Sequence, residues 1–316
     1  MDDYKIERLT PDRFEVLLPL MKDCFGINVN IEYFKWKFLD NPAGEFIGFI
    51  AVKKETEEIG AYYGVIPEVY WMQGVKEVVY QSCDTMTHSL HRRKGLFQKL
   101  AAHCYDYLEK NHTLFVIGFG GEQSTPGFIK LGWRKLFDFR FIFIPKILCL
   151  TYKFSREYNG ISEVSPSDIF HLKQNNSQTR IATARTLKQF EWRLANPLHP
   201  AKIIAINLES YIAYYQSENK IFVLDFFFSS QSSAKKLTRY LRKIVIDNNL
   251  SGIVTITREK SKDMFMLRKI GFLKNPFSFG PLRTNIPFIF LAKEDKIEVF
   301  SDVANWEITS YEHDSF

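Results

Sequence analysis

The chain has 316 residues, which exceeds the usual size of one domain and favours two. Lys and Arg number 42 and Asp and Glu 36, an excess of six that is too diffuse to indicate a nucleic-acid-binding surface. The four cysteines lie far apart without the spacing of metal ligands, which argues against a zinc site and against a disulfide framework. We therefore expect a globular protein with reduced thiols and no metal centre.

The N-terminus is acidic and passes directly into patterned sequence, so it lacks the basic and apolar stretches of a signal peptide. The longest aromatic run, residues 137–150, is interrupted by Asp138, Arg140 and Lys146 and is too short to span a bilayer. These features predict a cytoplasmic protein that does not enter a membrane.

The beginning of the chain predicts a strand, two helices and three antiparallel strands. Tyr4–Arg8 alternates like a strand, Pro11 suits the first position of a helix, and Gly26 suits its end. A second helix stops before Pro42, because proline disfavours the helical conformation in the residue before it. Three apolar runs at hairpin spacing then read as antiparallel strands: Phe46–Lys53, Ile59–Tyr70 and Lys76–Thr87.

Helices and strands alternate after these hairpins. The apolar period predicts a helix over Leu96–Lys110, a strand at Leu114–Phe119 and a short helix at Pro126–Leu131 that ends at Gly132. A basic loop that ends at Gly95 precedes the first of these helices.

The second half repeats this order of elements together with some of its sequence. FKWK at 34–37 with Asn-Pro at 41–42 returns as FEWR at 190–193 with Asn-Pro at 196–197; AYY at 61–63 returns at 213–215, and KLGW at 130–133 as KIGF at 269–272. Three matches in the same order indicate a duplication.

The spacing of matched points predicts where the copies differ. Tyr63 and Asp84 are 21 residues apart, but Tyr215 and Asp225 only 10, so we expect the second copy to lack a hairpin.

We place the boundary between the copies near residue 150, which gives domains 1–150 and 151–316. The expected fold class is α+β: two tandem domains, each with a mixed, mostly antiparallel twisted sheet flanked by helices.

The basic loop before the long helix suits an anionic ligand. A helix N-terminus presents unpaired N–H groups and a partial positive charge. Gly95 lets the backbone approach a ligand closely, and Arg92, Arg93 and Lys94 add charge. Taken alone, these residues also fit a solvated basic turn.

In its context this loop resembles the main motif of the GNAT N-acetyltransferases. That motif is Arg/Gln-x-x-Gly-x-Gly/Ala and lies between a central strand and a helix. Many members have the sequence YRGKGLF there. The chain has HRRKGLF at residues 91–97, and residues 84–100 and 118–133 also look like the family. The resemblance in element order spans residues 4–135.

The resemblance implies acetyl-CoA as the cofactor. In the family, the pantetheine amides pair with backbone exposed where two strands splay apart, and the pyrophosphate lies on the loop and helix start. Carried over, Met86, Thr87 and His88 would face the pantetheine. The pyrophosphate would face Arg92, Arg93, Lys94, Gly95, Leu96, Phe97 and Gln98.

Among the positions that depart from the family pattern, three bear on the loop or on the chemistry. His91 stands where tyrosine is common, and Arg93 replaces a glycine, which restricts the loop backbone. Phe128 falls where many members place the tyrosine that protonates the leaving thiolate. That proton donor is therefore missing or supplied from elsewhere.

Acetyl transfer to an amine requires a base, and three residues are candidates. Asp84 precedes the cofactor segment on the central strand, Glu122 lies in the next strand-to-helix loop, and His88 has a side chain suited to proton transfer. Each also fits a structural role: Asp84 orienting the loop, Glu122 solvated, His88 positioning backbone.

The second copy lacks the loop. Aligning Asp84 with Asp225 puts Ser233 opposite Arg92 and Lys236 opposite Gly95, so we expect this half not to bind the cofactor. It would instead support the first half and supply a wall of the acceptor site. In the tail, Asp302, Glu312 and Asp314 could hold a cationic acceptor.

The leading hypothesis is an N-acetyltransferase that transfers acetyl from acetyl-CoA to a primary amine of a small molecule, by direct attack in a ternary complex of a monomer or homodimer. The alternatives are a non-catalytic acyl-CoA-binding sensor or scaffold and a tandem enzyme similar to peptidyl or aminoacyl transferases.

Overall fold

The computed structural model describes residues 3–151, 158, 160–173, 180–217, 219–276, 282 and 284–313. Within these residues the chain forms a mixed sheet of 15 strands with helices packed on both faces. The predicted α+β class is confirmed.

The strands β1 to β15 follow in chain order: Tyr4–Arg8, Ile47–Lys53, Ile59–Met72, Val75–Thr87, Phe115–Phe119, Arg134–Pro145, Ile161–Glu163, Ile181–Thr183, Lys202–Ile206, Ser210–Gln216, Ile221–Phe227, Gly252–Arg258, Leu273–Lys274, Asn285–Ala292 and Trp306–Glu307. The α-helices α1 to α10 are Leu17–Phe25, Ile31–Phe34, Leu96–Asn111, Thr125–Lys130, Lys146–Leu150, Pro166–Ile169, Leu187–Leu194, Gln231–Asp247, Lys262–Lys269 and Glu294–Ser301.

The predicted strand bounds of the first half, and the helices predicted over 96–110 and 126–131, agree with these to within two residues. The helix expected from Pro11 begins as a 3-10 helix, Pro11–Val16, which leads into α1. Gly26 ends α1 in the left-handed conformation with φ 70°, as its lack of Cβ allows. A π-helical turn, Lys35–Leu39, prolongs α2 up to Asp40, two residues before Pro42.

Alternation along the strands divides the core of the first half between the two faces of the sheet. One cluster packs Tyr62 and Met86 against α1 and α2, and the other packs Tyr63 and Leu100 on the side of α3. The loop between β4 and α3 is thereby fixed at one end of the central strand.

The two halves share strands in one continuous sheet. The strand order is β1-β2-β3-β4-β5-β14-β6-β12-β11-β10-β9-β7, so β14 of the second half lies between β5 and β6. β6 in turn pairs with β12 over seven positions, from Gly252↔Pro145 to Arg258↔Phe139. Each half therefore completes the sheet of the other.

The duplication shows in a reciprocal contact between matched residues. The Trp36 and Trp192 rings stack with centroids 5.3 Å apart. Each indole N–H donates to the backbone oxygen of the other tryptophan, at 2.7 Å in both directions. Such an exchange is what a pseudo-twofold relation between the halves produces.

The expected loss of a hairpin is wrong. Both halves have the hairpin, but β3 and β4 have 14 and 13 residues, whereas β10 and β11 have seven each. The extra length of β3 pairs with β8, at Tyr70↔Thr183 and Trp71↔Ala182. Longer strands in the first half and a missing hairpin in the second half would give the same difference in spacing between the matched residues.

Among the residues described, no helix combines the length and apolar character that crossing a bilayer requires.

Candidate functional site

Strands β4 and β5 separate at the centre of the first half. Their parallel pairing is limited to Tyr80↔Val116 and Gln81↔Ile117. Beyond these pairs the strands diverge, so the backbone of β4 that faces β5 has no strand partner there. This is the splay that the resemblance implies.

A bulge in β4 coincides with the splay. The register with β3 shifts between Tyr62↔Met86 and Gly64↔Cys83, which leaves Asp84 and Thr85 opposite one residue. Asp84 has φ 47°, a left-handed conformation that aspartate tolerates better than most residues. The bulge turns this segment of β4 out of the regular ladder.

Two left-handed residues shape the loop that follows, Arg93 with φ 62° and Gly95 with φ 71°. Gly95 is the N-cap of α3 and no side chain caps the helix. A Cβ built on Gly95 meets no atom within 4 Å, so the space in front of the helix start is open. The N-terminus of this 16-residue helix can therefore receive an anion.

Side-chain contacts hold this loop in place. Asp23 accepts hydrogen bonds from the backbone N–H and the hydroxyl of Ser89, at 2.7 and 2.8 Å. The Tyr4 hydroxyl lies 2.7 Å from His91 Nδ1 and accepts from Lys94 Nζ at 3.0 Å. Burial lowers the pKa of His91, and the nearby Lys94 charge lowers it further, so the imidazole is held towards its neutral form. The loop is preformed.

The predicted cofactor residues divide by the group that each can offer. Arg92, Arg93, Lys94 and Gln98 are exposed, so their side chains can reach a phosphate. Met86 and Leu96 are buried in the core, and Phe97 packs against Phe128 with ring centroids 5.0 Å apart. These three can offer only backbone.

The Thr87 carbonyl is already engaged. It accepts from Cys24 Sγ at 3.3 Å and from Arg92 Nε at 3.3 Å. The sequence did not indicate this use of Cys24, which ties the end of α1 to the end of β4.

A cavity of ≈ 500 Å³ lies in the splay. Its lining combines the β4 bulge, the loop after β5, the end of α1, strand β14 and the tail. The lining residues are Cys24, Phe25, Ser82, Cys83, Asp84, Thr85, Gly118, Phe119, Gly120, Gly121, Glu122, Gln123, Ser124, Phe128, Ile286, Ile289 and His313. The second half thus supplies part of the wall.

Asp84 enters this cavity as one member of a buried ion pair. Lys37 Nζ lies 2.7 Å from Asp84 Oδ2, and the two side chains are 1% and 9% exposed. Lys37 also donates to the Tyr33 hydroxyl at 3.2 Å. The pair places the Asp84 carboxylate at the cavity wall against a buried ammonium group.

Of the three predicted catalytic residues, the structure brings two together. Asp84 and the exposed Glu122 line the same cavity. His88 lies in the loop, where its Nδ1 accepts from the Leu90 N–H at 3.3 Å and its Nε2 is 3.9 Å from Asp23. It is not among the lining residues of the cavity.

Phe128 lines the cavity with a ring that carries no hydroxyl. It is 5% exposed and packs against Phe97 and Trp133. Tyr62, the buried tyrosine beside the bulge, has a hydroxyl without a hydrogen-bond partner among the described residues. Burial raises the Tyr62 pKa well above its usual value, and Cys83 and Asp84 add to the shift. Tyr62 is not among the lining residues of the cavity.

The tail residues singled out in the sequence have other roles. The Glu312 carboxylate is engaged by Arg185 at 3.3 Å and Thr183 at 2.9 Å. Asp302 accepts from the Ala304 N–H and so caps a turn. Asp314 lies outside the described residues. Sequence reasoning missed His313, because nothing local connects it with a strand far earlier in the chain.

The second half repeats the splay without the loop. β11 and β12 pair only at Ile221↔Ile253 and Phe222↔Val254. Helix α8 begins at Gln231, so Ser230 takes the place of Gly95, a correction to the ungapped alignment that put Lys236 there. The Ser230 hydroxyl accepts from the Ser233 N–H at 3.1 Å and closes this helix start.

Comparison with known proteins agrees with this geometry. Residues 5–136 match the model of the acetyltransferase (GNAT) domain. No curated protein matches the sequence.

Solved structures match nearly the whole chain. N-acetyltransferases described as GCN5-related, from Kribbella flavida and Anabaena variabilis, align with TM-scores of 0.62 and 0.61 at 10% and 14% identity. Both cover 91% of this chain, and 70% and 72% of their own. The N-myristoyltransferase of Saccharomyces cerevisiae with bound myristoyl-CoA aligns at TM-score 0.61 and 12% identity, over 92% of this chain and 79% of its own.

These similarities, at such low identity, establish the fold that the chain shares with these structures. The domain match identifies residues 5–136 as similar to the acetyltransferase (GNAT) domain.

Proposed function

We propose that the protein is an acetyl-CoA-dependent N-acetyltransferase that acetylates a primary amine of a small molecule, by direct attack in a ternary complex. The observation that carries the proposal is the uncapped, glycine-started helix α3 beside a splayed strand pair with a cavity. A helix start suited to phosphate thus lies next to a gap between strands that suits an extended ligand chain.

The residues present fit CoA. The open space at Gly95 and the exposed Arg92, Arg93 and Lys94 suit the pyrophosphate. We assign the pantetheine amides to the other backbone groups of Met86, Thr87 and His88, because the Thr87 carbonyl already accepts from Arg92 and the His88 N–H donates to Gly60. Bound in this way, acetyl-CoA would supply an activated acyl group to the cavity.

Within the cavity, we propose that Asp84 accepts the proton of the attacking amine, either directly or through a water molecule. Glu122 is the alternative proton acceptor. The Lys37 contact holds the Asp84 carboxylate in place at the cavity wall, where a carboxylate can accept a proton. His88 is assigned to loop and pantetheine positioning, in keeping with its bond to Leu90.

We also propose that the chain is a tandem of domains 1–150 and 151–316, of which only the first binds CoA. The matched Trp36 and Trp192 contact and the two splays support the duplication. The shared strands β6 and β14 make the halves mutually dependent.

A second candidate, an acyl-CoA-binding sensor, is favoured by one observation, the absence of a hydroxyl on Phe128. Calorimetric titration with CoA and acetyl-CoA, followed by thiol release across a panel of primary amines, separates the two. Binding with amine-dependent thiol release supports the enzyme. Binding without release on any amine favours the sensor, and no binding contradicts both.

The acyl length is tested in the same assay. Acetyl-CoA, octanoyl-CoA and myristoyl-CoA are compared at equal concentration. We expect the highest rate with acetyl-CoA; faster transfer of a longer chain would replace the acetyl assignment and keep the acyltransferase.

A further inference from the structure

The tail brings an imidazole into the donor cavity from the far end of the sequence. His313 lines the cavity together with Asp84 and Phe128. It is 8% exposed, and its ring centroid lies 4.5 Å from that of Phe119 at the end of β5. A side chain able to transfer protons therefore lies where the reacting groups would meet.

The preceding residue fixes the position of His313. One Glu312 carboxylate oxygen accepts from the N–H and hydroxyl of Thr309, at 2.7 and 2.8 Å, and the other accepts from Thr183 and Arg185. The Glu312 backbone oxygen accepts from Gln81 Nε2 at 3.0 Å, which ties the tail to β4. A buried network thus holds the tail against the splay.

The cavity otherwise offers few donors for a departing thiolate. Phe128 has no hydroxyl, and burial raises the pKa of the Cys24 thiol. Imidazole is the side chain most often used for proton transfer in catalysis, and its protonated form can donate to a departing sulfur.

We propose that His313 is the general acid of the reaction, the role that Phe128 cannot fill; this inference rests on the proposed function. The amine nitrogen bonds to the acyl carbon and the carbon–sulfur bond breaks. The imidazolium N–H of His313 gives its proton to the sulfur, while Asp84 receives a proton from the amine. The products are the amide and the CoA thiol, and both side chains return to their starting states by exchange with water.

The test measures kcat against pH with acetyl-CoA and the fastest amine of the panel, for the wild type, His313→Gln, Phe128→Tyr and the double variant. We expect His313→Gln to lose about 100- to 1000-fold in kcat, as removal of a general acid does. The decline of kcat at high pH should disappear with it. The other titratable groups that line the cavity with His313 are Asp84 and Cys83 of β4, Cys24 of α1 and Glu122 of the β5–α4 loop; β14 contributes the apolar Ile286 and Ile289.

The double variant should have a kcat at least about tenfold higher than that of His313→Gln, because Phe128→Tyr supplies a phenol in the same cavity. The proposal is overturned if the kcat of His313→Gln lies within threefold of the wild-type kcat. It is also overturned if kcat falls but the pH profile is unchanged and Phe128→Tyr does not rescue the rate.

His171→Gln, which replaces an exposed histidine outside the cavity, is the control. CoA affinity within threefold in all variants shows that the donor site is intact. Wild-type CoA binding without turnover on any amine would overturn the proposed function itself.

Discussion

The start of helix α3 and the start of helix α8 occupy matching places in the two halves but differ in chemistry. Gly95 begins α3 with a left-handed turn, no side-chain cap and open space in front. Ser230 begins α8 with an extended backbone, and its hydroxyl accepts from the Ser233 N–H. The same fold therefore has an open, uncapped helix start in one half and a capped helix start in the other.

The carboxylates next to these helix starts differ in the same sense. Asp84 pairs with Lys37 and faces a cavity. Asp225 is fully enclosed, with Lys173, Arg185 and the Tyr211 hydroxyl on its oxygens. Attraction to Arg185 and Lys173 exceeds the cost of burial and lowers the Asp225 pKa to about 2. The comparison supports the proposal that the first half carries out the reaction and the second half has a structural role.

The largest effect should come from Arg185→Ala. It leaves Glu312 and part of Asp225 buried without their shared cation, which should lower the free energy of unfolding by about 3–5 kcal/mol. Denaturant unfolding measures this. Arg180→Ala removes an exposed pair with Glu307 and should cost less than about 1 kcal/mol. Equal effects would contradict the structural role of the second half.

The basic residues sharpen the comparison at an intermediate level. Arg92→Gln with Lys94→Gln should weaken CoA binding by about tenfold, with a smaller loss at high salt because exposed charges are screened. The matched pair Lys235→Gln with Lys236→Gln lies in the first turns of α8 and should leave the affinity unchanged. Calorimetric titration at two salt concentrations checks both, and similar losses in the two pairs would contradict a single site.

The smallest effect concerns His91. Its folded pKa is lowered by burial, so the unfolded chain takes up the proton first as the pH falls. The contribution of neutral His91 to the stability of the folded state is present above about pH 6.5, the ordinary pKa of histidine. This contribution is lost as the pH falls towards the lowered pKa of the folded state. The difference in melting temperature between the wild type and His91→Gln should therefore shrink by about 1 °C as the pH falls over this range. His199, also lowered by burial, acts with the same sign in both proteins and cancels.

The sequence predicted the elements of the first half because their signals are local. Apolar period, Pro11, Gly26 and Gly95 each act on neighbouring residues, so the helix and strand bounds and the position of the loop were predictable. The shared strands β6 and β14 were not, since pairing between distant parts of the chain leaves no local pattern.

The same distinction applies to the site. Asp84 and Glu122 could be selected by their distance from the loop motif, but the Lys37 pair and the placement of His313 depend on distant contacts. The hairpin difference was misjudged because a length in sequence does not state how many strands it contains.

The most direct measurement of the central claim compares Gly95→Asp with Ser230→Asp by calorimetric titration with CoA. A carboxylate at Gly95 enters the open space at the start of α3, and we predict at least about 100-fold weaker binding through charge repulsion and lost phosphate contact. Aspartate at Ser230 caps α8 as serine does, and the affinity should stay within threefold of the wild type. Unchanged affinity in Gly95→Asp, or an equal loss in both variants, would contradict a single CoA site at the start of α3.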